Sequence, residues 1–292
     1  MALKPEKGRV ATQEPRTKAR KRFGQHFLEV NWITKLIRYI QPQEMDLFLE
    51  IGSGKGQLTL PISAAGAKII AIEVDRQLAI QLQQSATSGV KVITGNILHQ
   101  DIFELVQPLF EEQSSSFRVV GNLPYNLSTP ILRQIFDVQQ KHLCFSDATL
   151  MLQREVAERV IAKSGSPAYG PLAIMTQLVA DAKIAFTLPP GAFRPPPKVR
   201  SALIALTFRP SPISIPDWYL FLSLVRKLFT HRRKTMLNSL GSFSRTISPI
   251  PPLQLLDQAA IDPETRPGTL ELTDFVQLAT ALYNSNKSER EI

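Results

Sequence analysis

The chain has 292 residues, 43% of them apolar, which is enough for one large or two modest globular domains; no apolar run approaches a bilayer span and no signal-peptide core opens the N-terminus. Cys144 is the only cysteine and His26, His99, His142 and His231 are scattered, which excludes an intrachain disulfide and gives no metal-ligand spacing; a metal-free protein of the reducing cytoplasm is expected. The net charge of +9 is uneven: residues 1–22 hold eight Lys or Arg against two acids and residues 209–247 seven against one, around a nearly neutral body, which points to a polyanionic partner.

In chain order, a basic extension over residues 1–22 comes first. Asn31 to Ile40 has helical spacing of Trp32, Ile33, Leu36, Ile37 and Ile40. Leu47 to Ile51 is a short apolar strand that runs into Gly52-Ser53-Gly54-Lys55-Gly56, with a helix opening around Gln57. Lys68 to Glu73 is a buried strand, followed by a helix through Leu78 and Leu82. Val90 to Thr94 and Phe117 to Gly121 are two more strands, and the polar run 111–116 between them is expected to be a surface loop. Then come a helix over Ser128 to Val138, a strand over Ala148 to Leu152, a helix around Leu172 to Val179, and strands at Ile184 to Leu188 and Ala202 to Phe208. Strands alternating with helices predict an α/β domain over residues 23–208, with a mostly parallel sheet covered on both faces. At Arg209-Pro210-Ser211-Pro212 the pattern changes, and residues 209–292 read as a small all-helical domain.

The glycine turn after the first strand lets backbone approach a ligand at a helix start. Its Gly-x-Gly-x-Gly spacing is not the dinucleotide fingerprint, and no Gly-Lys-Ser/Thr follows to make a phosphate loop. The next strand ends in Glu73, with Asp75 two residues on, where a carboxylate can accept from both hydroxyls of a ribose. The third strand leads to Gly95-Asn96, where a polar side chain can read an adenine edge. Together these describe a pocket for an adenosyl group.

After the fourth strand comes Gly121-Asn122-Leu123-Pro124-Tyr125-Asn126. An adenine amine is a poor nucleophile because its lone pair is delocalised into the ring. Acceptors at its hydrogens, the Asn122 carboxamide oxygen and the Leu123 carbonyl, favour a pyramidal nitrogen and direct its lone pair at a sulfonium methyl. Pro124 stiffens the turn, and Tyr125 offers a flat face to a base removed from its stack.

These segments resemble the small-subunit (16S) ribosomal RNA adenine N6-dimethyltransferases. The resemblance runs through Arg20 to Leu28, Glu50 to Gly54, Ile72 to Asp75, Gly121 to Pro130, Phe193 to Ser201, Phe229 to Thr235 and Asn238 to Leu240. It implies a Rossmann-like methyltransferase domain with a mostly parallel seven-stranded sheet, and S-adenosyl-L-methionine as donor. It also implies a monomer acting late in assembly on an immature 30S-type subunit, where two adjacent adenosines in a hairpin near the 3′ end of the rRNA are each dimethylated. On the same ground His26, Leu28, Gly52, Glu73, Asn96 and Asn122 are the expected cofactor contacts. Phe193 is expected to face Tyr125 across the target base. At two positions the chain departs from the family's pattern, His26 standing for the commoner Asn and Asn96 for the commoner Asp. An uncharged acceptor binds an amine less strongly, so Asn96→Asp is expected to tighten cofactor binding, which titration calorimetry reads directly.

Arg20, Lys21 and Arg22 precede the first cofactor segment, and Arg232, Arg233 and Lys234 lie in the helical region. Both clusters are expected to contact RNA phosphates, which position RNA without reading its sequence. Two alternatives stay open: a large-subunit (23S) adenine methylase of the antibiotic-resistance type, and a non-catalytic RNA-binding assembly factor.

Overall fold

The computed structural model describes residues 25–113, 115–242 and 250–290. Its central sheet grows from β2 (Leu47–Ile51), every residue of which is buried. Side chains alternate along a strand, so Leu47, Leu49 and Ile51 enter one apolar cluster while Phe48 enters the cluster on the opposite face. Parallel strands β3 (Lys68–Glu73) and β4 (Val90–Thr94) extend the sheet on one side, and β5 (Phe117–Asn122) and β6 (Phe145–Gln153) on the other. Two further strands, β7 (Ala180–Leu188) and β9 (Ser201–Phe208), complete seven in the order β4-β3-β2-β5-β6-β9-β7, with β9 antiparallel to both neighbours. Chain order reverses between β2 and β5. That is the switch point at which open α/β sheets hold their ligands.

One face is covered by α1 (Val30–Ile40) and α2 (Thr59–Ala64), through Leu36, Ile40 and Ile62. Arg118 on β5 fixes α1 in place: its guanidinium bonds Asp46 (2.7 Å) and Asp147 (2.9 Å) and donates to the Ile40 carbonyl (2.8 Å) at the helix C-terminus. The other face is covered by α4 (Ile102–Gln113), α5 (Ser128–His142) and α7 (Pro171–Val179). Helix α3 (Arg76–Ser85) follows β3 and is capped by Asp75, which accepts from the Gln77 amide at 3.0 Å. A short helix α6 (Arg154–Val160) leaves β6.

Past residue 209 the described residues form no strand. Among the described residues this region holds helices α8 (Trp218–Thr230), α9 (Met236–Gly241), α10 (Pro252–Gln258) and α11 (Leu272–Arg290). Phe221, Leu224, Leu228, Leu255, Phe275 and Leu278 belong to the same apolar cluster as Leu132, Ile135 and Ile174 of α5 and α7. The boundary near 209 is therefore a change of secondary structure, and packing is continuous across it.

Several elements differ from the sequence reading. The loop expected at 111–116 begins inside α4, because Glu111 and Glu112 form the exposed last turn of that helix and polar composition alone resembles a loop. The helix after the glycine turn starts at Thr59 instead of Gln57. Strand β7 begins at Ala180, its first half masked by the exposed Asp181 of a sheet edge. A two-stranded pair, β1 (Phe27–Leu28) with β8 (Phe193–Arg194), was not foreseen. Among the described residues no helix is long and apolar enough to cross a membrane.

Candidate active site

At the C-terminal ends of β2, β3 and β5 two adjoining chambers share Gly52, Val74 and Pro124 as lining. Their geometry starts with Gly52, whose φ of 76° is open to glycine and strained for other residues. Gly121 keeps β5 against β2, since a Cβ there would lie 2.5 Å from the Ile51 carbonyl oxygen. Both sequence-predicted carboxylate oxygens of Glu73 are held by backbone: Oε2 accepts from the Gly54 N–H (2.7 Å) and Oε1 from the Asp75 N–H (2.8 Å). Each keeps a second lone pair for a ribose hydroxyl. Ser53 lines the same chamber, and its buried hydroxyl has no partner in the protein. A glycine cradle, a fixed carboxylate and an unsatisfied buried hydroxyl fit the polar adenosyl and amino-acid parts of S-adenosylmethionine.

Asn122 ends β5 with its Nδ2 donating to the His26 carbonyl at 2.7 Å. Because a carbonyl accepts only from the NH₂ end, this bond fixes the amide and leaves Oδ1 as the acceptor facing the chamber's contents. Leu123 is buried and hung from the Met151 carbonyl (3.1 Å), while Pro124 accepts from the Leu127 amide (2.9 Å) to close the turn into α5. The Tyr125 hydroxyl bonds Ser201 Oγ (2.6 Å) on β9, and burial pushes its pKa up. Its ring stacks on His26, with centroids 5.5 Å apart at 23°.

His26 thus meets the Asn122–Tyr125 turn through both its carbonyl and its ring, and it lines the chamber in which a cofactor contact was expected of it. Nδ1 donates to the Pro195 carbonyl at 2.8 Å, so a neutral ring presents only an accepting Nε2. Leu28 lines the same chamber, and both its backbone groups bond Gln57: Leu28 N donates to Oε1 (3.0 Å) and Nε2 donates to Leu28 O (2.7 Å). Gln57 was read merely as a helix start; it clamps β1 to the glycine turn.

The second chamber, about 220 Å³, is walled by Ile51, Ile72, Val74, Ile97, Leu127 and Ile131, with Asn96 at its polar end. Asn96 Oδ1 accepts from the Leu98 N–H (3.1 Å) and caps a short 3₁₀ turn, Ile97–His99. That oxygen keeps a second lone pair with which to accept from a base amine. Asn96→Asp keeps the cap and gives that acceptor a charge, so tighter binding is still the expected outcome.

Phe193 is not where it was expected. Its ring is 0% exposed, packed in the cluster of Leu28, Val120, Met151 and Leu203 because β8 pairs with β1, and it does not line the chamber opposite Tyr125. Arg232 is also committed elsewhere: Nη1 donates to the Pro167 carbonyl (2.6 Å) and Nη2 to the Ser166 carbonyl (2.7 Å), tying the α8–α9 turn to the loop before α7. Arg233 and Lys234 remain exposed. Arg20, Lys21 and Arg22 lie outside the described residues.

Glu50, absent from the expected site, lines the first chamber. Burial pushes its carboxyl up to about 7, with Glu73 nearby adding to the rise and the Thr59 hydroxyl, donating at 2.5 Å, opposing it. A folded-state pKa raised above the ordinary 4.5 means that its contribution to stability is fully present below that value and is lost as pH rises through about 7. A cationic ligand reverses the preference by favouring the ionised form. Affinity for a sulfonium ligand is accordingly expected to rise several-fold from about pH 6 to 8, and Glu50→Gln to flatten the profile. Calorimetry across that range checks both; a flat wild-type profile would contradict the assignment.

Residues 16–279 match the family model described as "Ribosomal RNA adenine dimethylase". The chain is 40% identical over 268 residues to "Ribosomal RNA small subunit methyltransferase A" of Xylella fastidiosa, covering 91% of this chain and 96% of that one. It is 39% identical over 269 residues to the protein of the same name from Pseudomonas aeruginosa, covering 91% and 95%. Among solved structures, a dimethyladenosine transferase from Plasmodium falciparum superposes with a TM-score of 0.72 at 23% identity, covering 89% and 98%. The 23S rRNA methyltransferase ErmE does so at 0.59 and 21%, covering 88% and 99%, and these two likenesses bear on fold alone.

Proposed function

The chain belongs to the ribosomal RNA adenine dimethylase family, and from that premise we propose how its residues perform S-adenosylmethionine-dependent dimethylation of the adenine N6 in small-subunit rRNA. The observation that carries the reading is the Asn122 amide, pinned by the His26 carbonyl so that its oxygen is a fixed acceptor. When bound, the donor supplies an activated methyl on a sulfonium. Glu73 and the glycine turn hold its adenosyl part, and the apolar second chamber takes the adenine ring with Asn96 at its edge.

Asn122 Oδ1 and the Leu123 carbonyl accept the hydrogens of the target amine, which localises the nitrogen lone pair and aims it at the methyl. The target base rests on the face of Tyr125 that His26 leaves open, and the Ser201 bond keeps that ring from turning. No strong base is required, because the amine loses its proton only after it has gained a methyl and become acidic. The acceptors survive the first transfer with one hydrogen still to hold, so the same site serves the second.

The substrate is two adjacent adenosines in a hairpin near the 3′ end of the rRNA, met late in assembly on an immature small subunit in the cytoplasm by a monomer. Exposed Arg233 and Lys234 contribute phosphate contacts, and Arg232 holds the turn that carries them. The test is transfer of label from the methyl donor to undermethylated small and large subunits offered separately. Labelling of the small subunit alone is expected. Labelling of the large subunit alone would overturn the reading, and labelling of neither would favour a binding role.

A further inference from the structure

Helices α5 and α8 lie antiparallel. The start of α8 is fastened to the end of α5 by Trp218 Nε1 donating to Asp137 Oδ1 (2.9 Å) and by Lys141 Nζ donating to the Tyr219 hydroxyl (2.6 Å). From there α8 runs back toward the beginning of α5, and a groove of about 330 Å³ opens between them, lined by Arg133, Asp137, Tyr219, Ser223, Arg226 and Lys227 among others. The groove is cationic. Its one lining carboxylate, Asp137, is already engaged by Trp218.

Arg133 is the unusual member. Its Nε is buried without a hydrogen-bond partner, and among the described residues neither Arg133 nor Arg226 forms an ion pair. A guanidinium drawn into a half-buried groove loses hydration, and an anionic acceptor entering the groove replaces it with a charge-assisted bond. The planar fork matches a phosphate, which can take two of its N–H groups at once. Position supplies the rest of the argument. Arg133 sits five residues after Ser128, roughly 7–8 Å along α5 from the end of the catalytic turn, and α8 leads from Arg226 to the exposed Arg233 and Lys234.

We propose that the α5–α8 groove seats a backbone phosphate of the RNA strand flanking the target adenosine, with Arg133 and Arg226 as its ligands. It anchors the strand beside the catalytic turn while the base is withdrawn from its stack. The proposal rests on RNA being the substrate, and labelling of small subunits by the wild-type protein establishes that premise independently.

The experiment compares wild type, Arg133→Gln/Arg226→Gln and, as a variant that leaves both arginines in place, Ser223→Glu. Equilibrium binding is measured over a salt series to undermethylated small subunits and to a naked synthetic hairpin with two adjacent adenosines in its loop. Calorimetric affinity for the methyl donor reports that each variant is folded. The double variant is expected to bind both RNAs at least tenfold more weakly at low salt, with a slope of log K against log salt reduced by roughly 0.7–0.9 for the loss of one phosphate contact. Ser223→Glu is expected to weaken both in the same direction. Unchanged affinity and slope would overturn the proposal. So would weakened binding to subunits with unchanged binding to the hairpin, which would assign the groove to a ribosomal protein.

Discussion

Asn122→Ala is expected to lower the methylation rate at saturating substrates by about 10²- to 10³-fold, the usual loss when one preorganised group at a reacting centre is removed. Cofactor affinity should change far less. The reason is geometric: Nδ2 is spent on the His26 carbonyl at 2.7 Å, so the whole function of the side chain is delivered through Oδ1. Asn122→Asp is a sharper variant, because it keeps an oxygen for the amine yet sets a carboxylate against the His26 carbonyl in place of a donor. It should also lose activity, though its volume and acceptor are retained. Single-turnover rates and donor affinity measured together separate this role from a merely structural one; equal losses in both would contradict it.

Glu73→Ala is the second large effect, and it falls on binding. The substitution removes the acceptor for the Gly54 and Asp75 amides as well as two charge-assisted bonds to the ribose. At about 1.5–3 kcal/mol for a bond to a charged group, loss of the ribose bonds weakens the donor complex by at least about 100-fold. The rate at saturating donor should stay within about tenfold of wild type, because the catalytic turn on β5 does not depend on this carboxylate. Burial raises the Glu73 pKa, so weaker donor binding is also expected toward acid, as protonation removes the acceptor charge.

These two residues were legible in the sequence because their chemistry is local. A glycine turn after an apolar strand, an acid at the end of the next strand and Asn-Leu-Pro-Tyr after the fourth are contiguous patterns, and the alternation of strands and helices fixes their common edge of the sheet. The settings that were not legible depend on partners far along the chain. His26 is read from Asn122 and Pro195, 96 and 169 residues away, and Tyr125 is held by Ser201, 76 residues on. Phe193 was expected in the pocket because an aromatic suits a base, and only the pairing of β8 with β1 reveals that its ring is buried.

Charge was the least legible property. Arg232 stands beside Arg233 and Lys234 in one basic run, yet its guanidinium closes a loop through two carbonyls while its neighbours face solvent. Arg133 shows the converse, an isolated arginine on a helix that gains meaning only when α8 is laid against it. Glu50 went unnoticed because an acid inside an apolar strand looks like a strand residue until burial beside Glu73 is known.

The most direct test of the central claim is mass mapping of rRNA from undermethylated small subunits after incubation with the protein and S-adenosylmethionine. The account predicts two adjacent N6,N6-dimethyladenosines in a hairpin near the 3′ end, and none when the Asn122→Ala protein is used for the same time. Methylation at another base or ring position, or full dimethylation by Asn122→Ala, would contradict it.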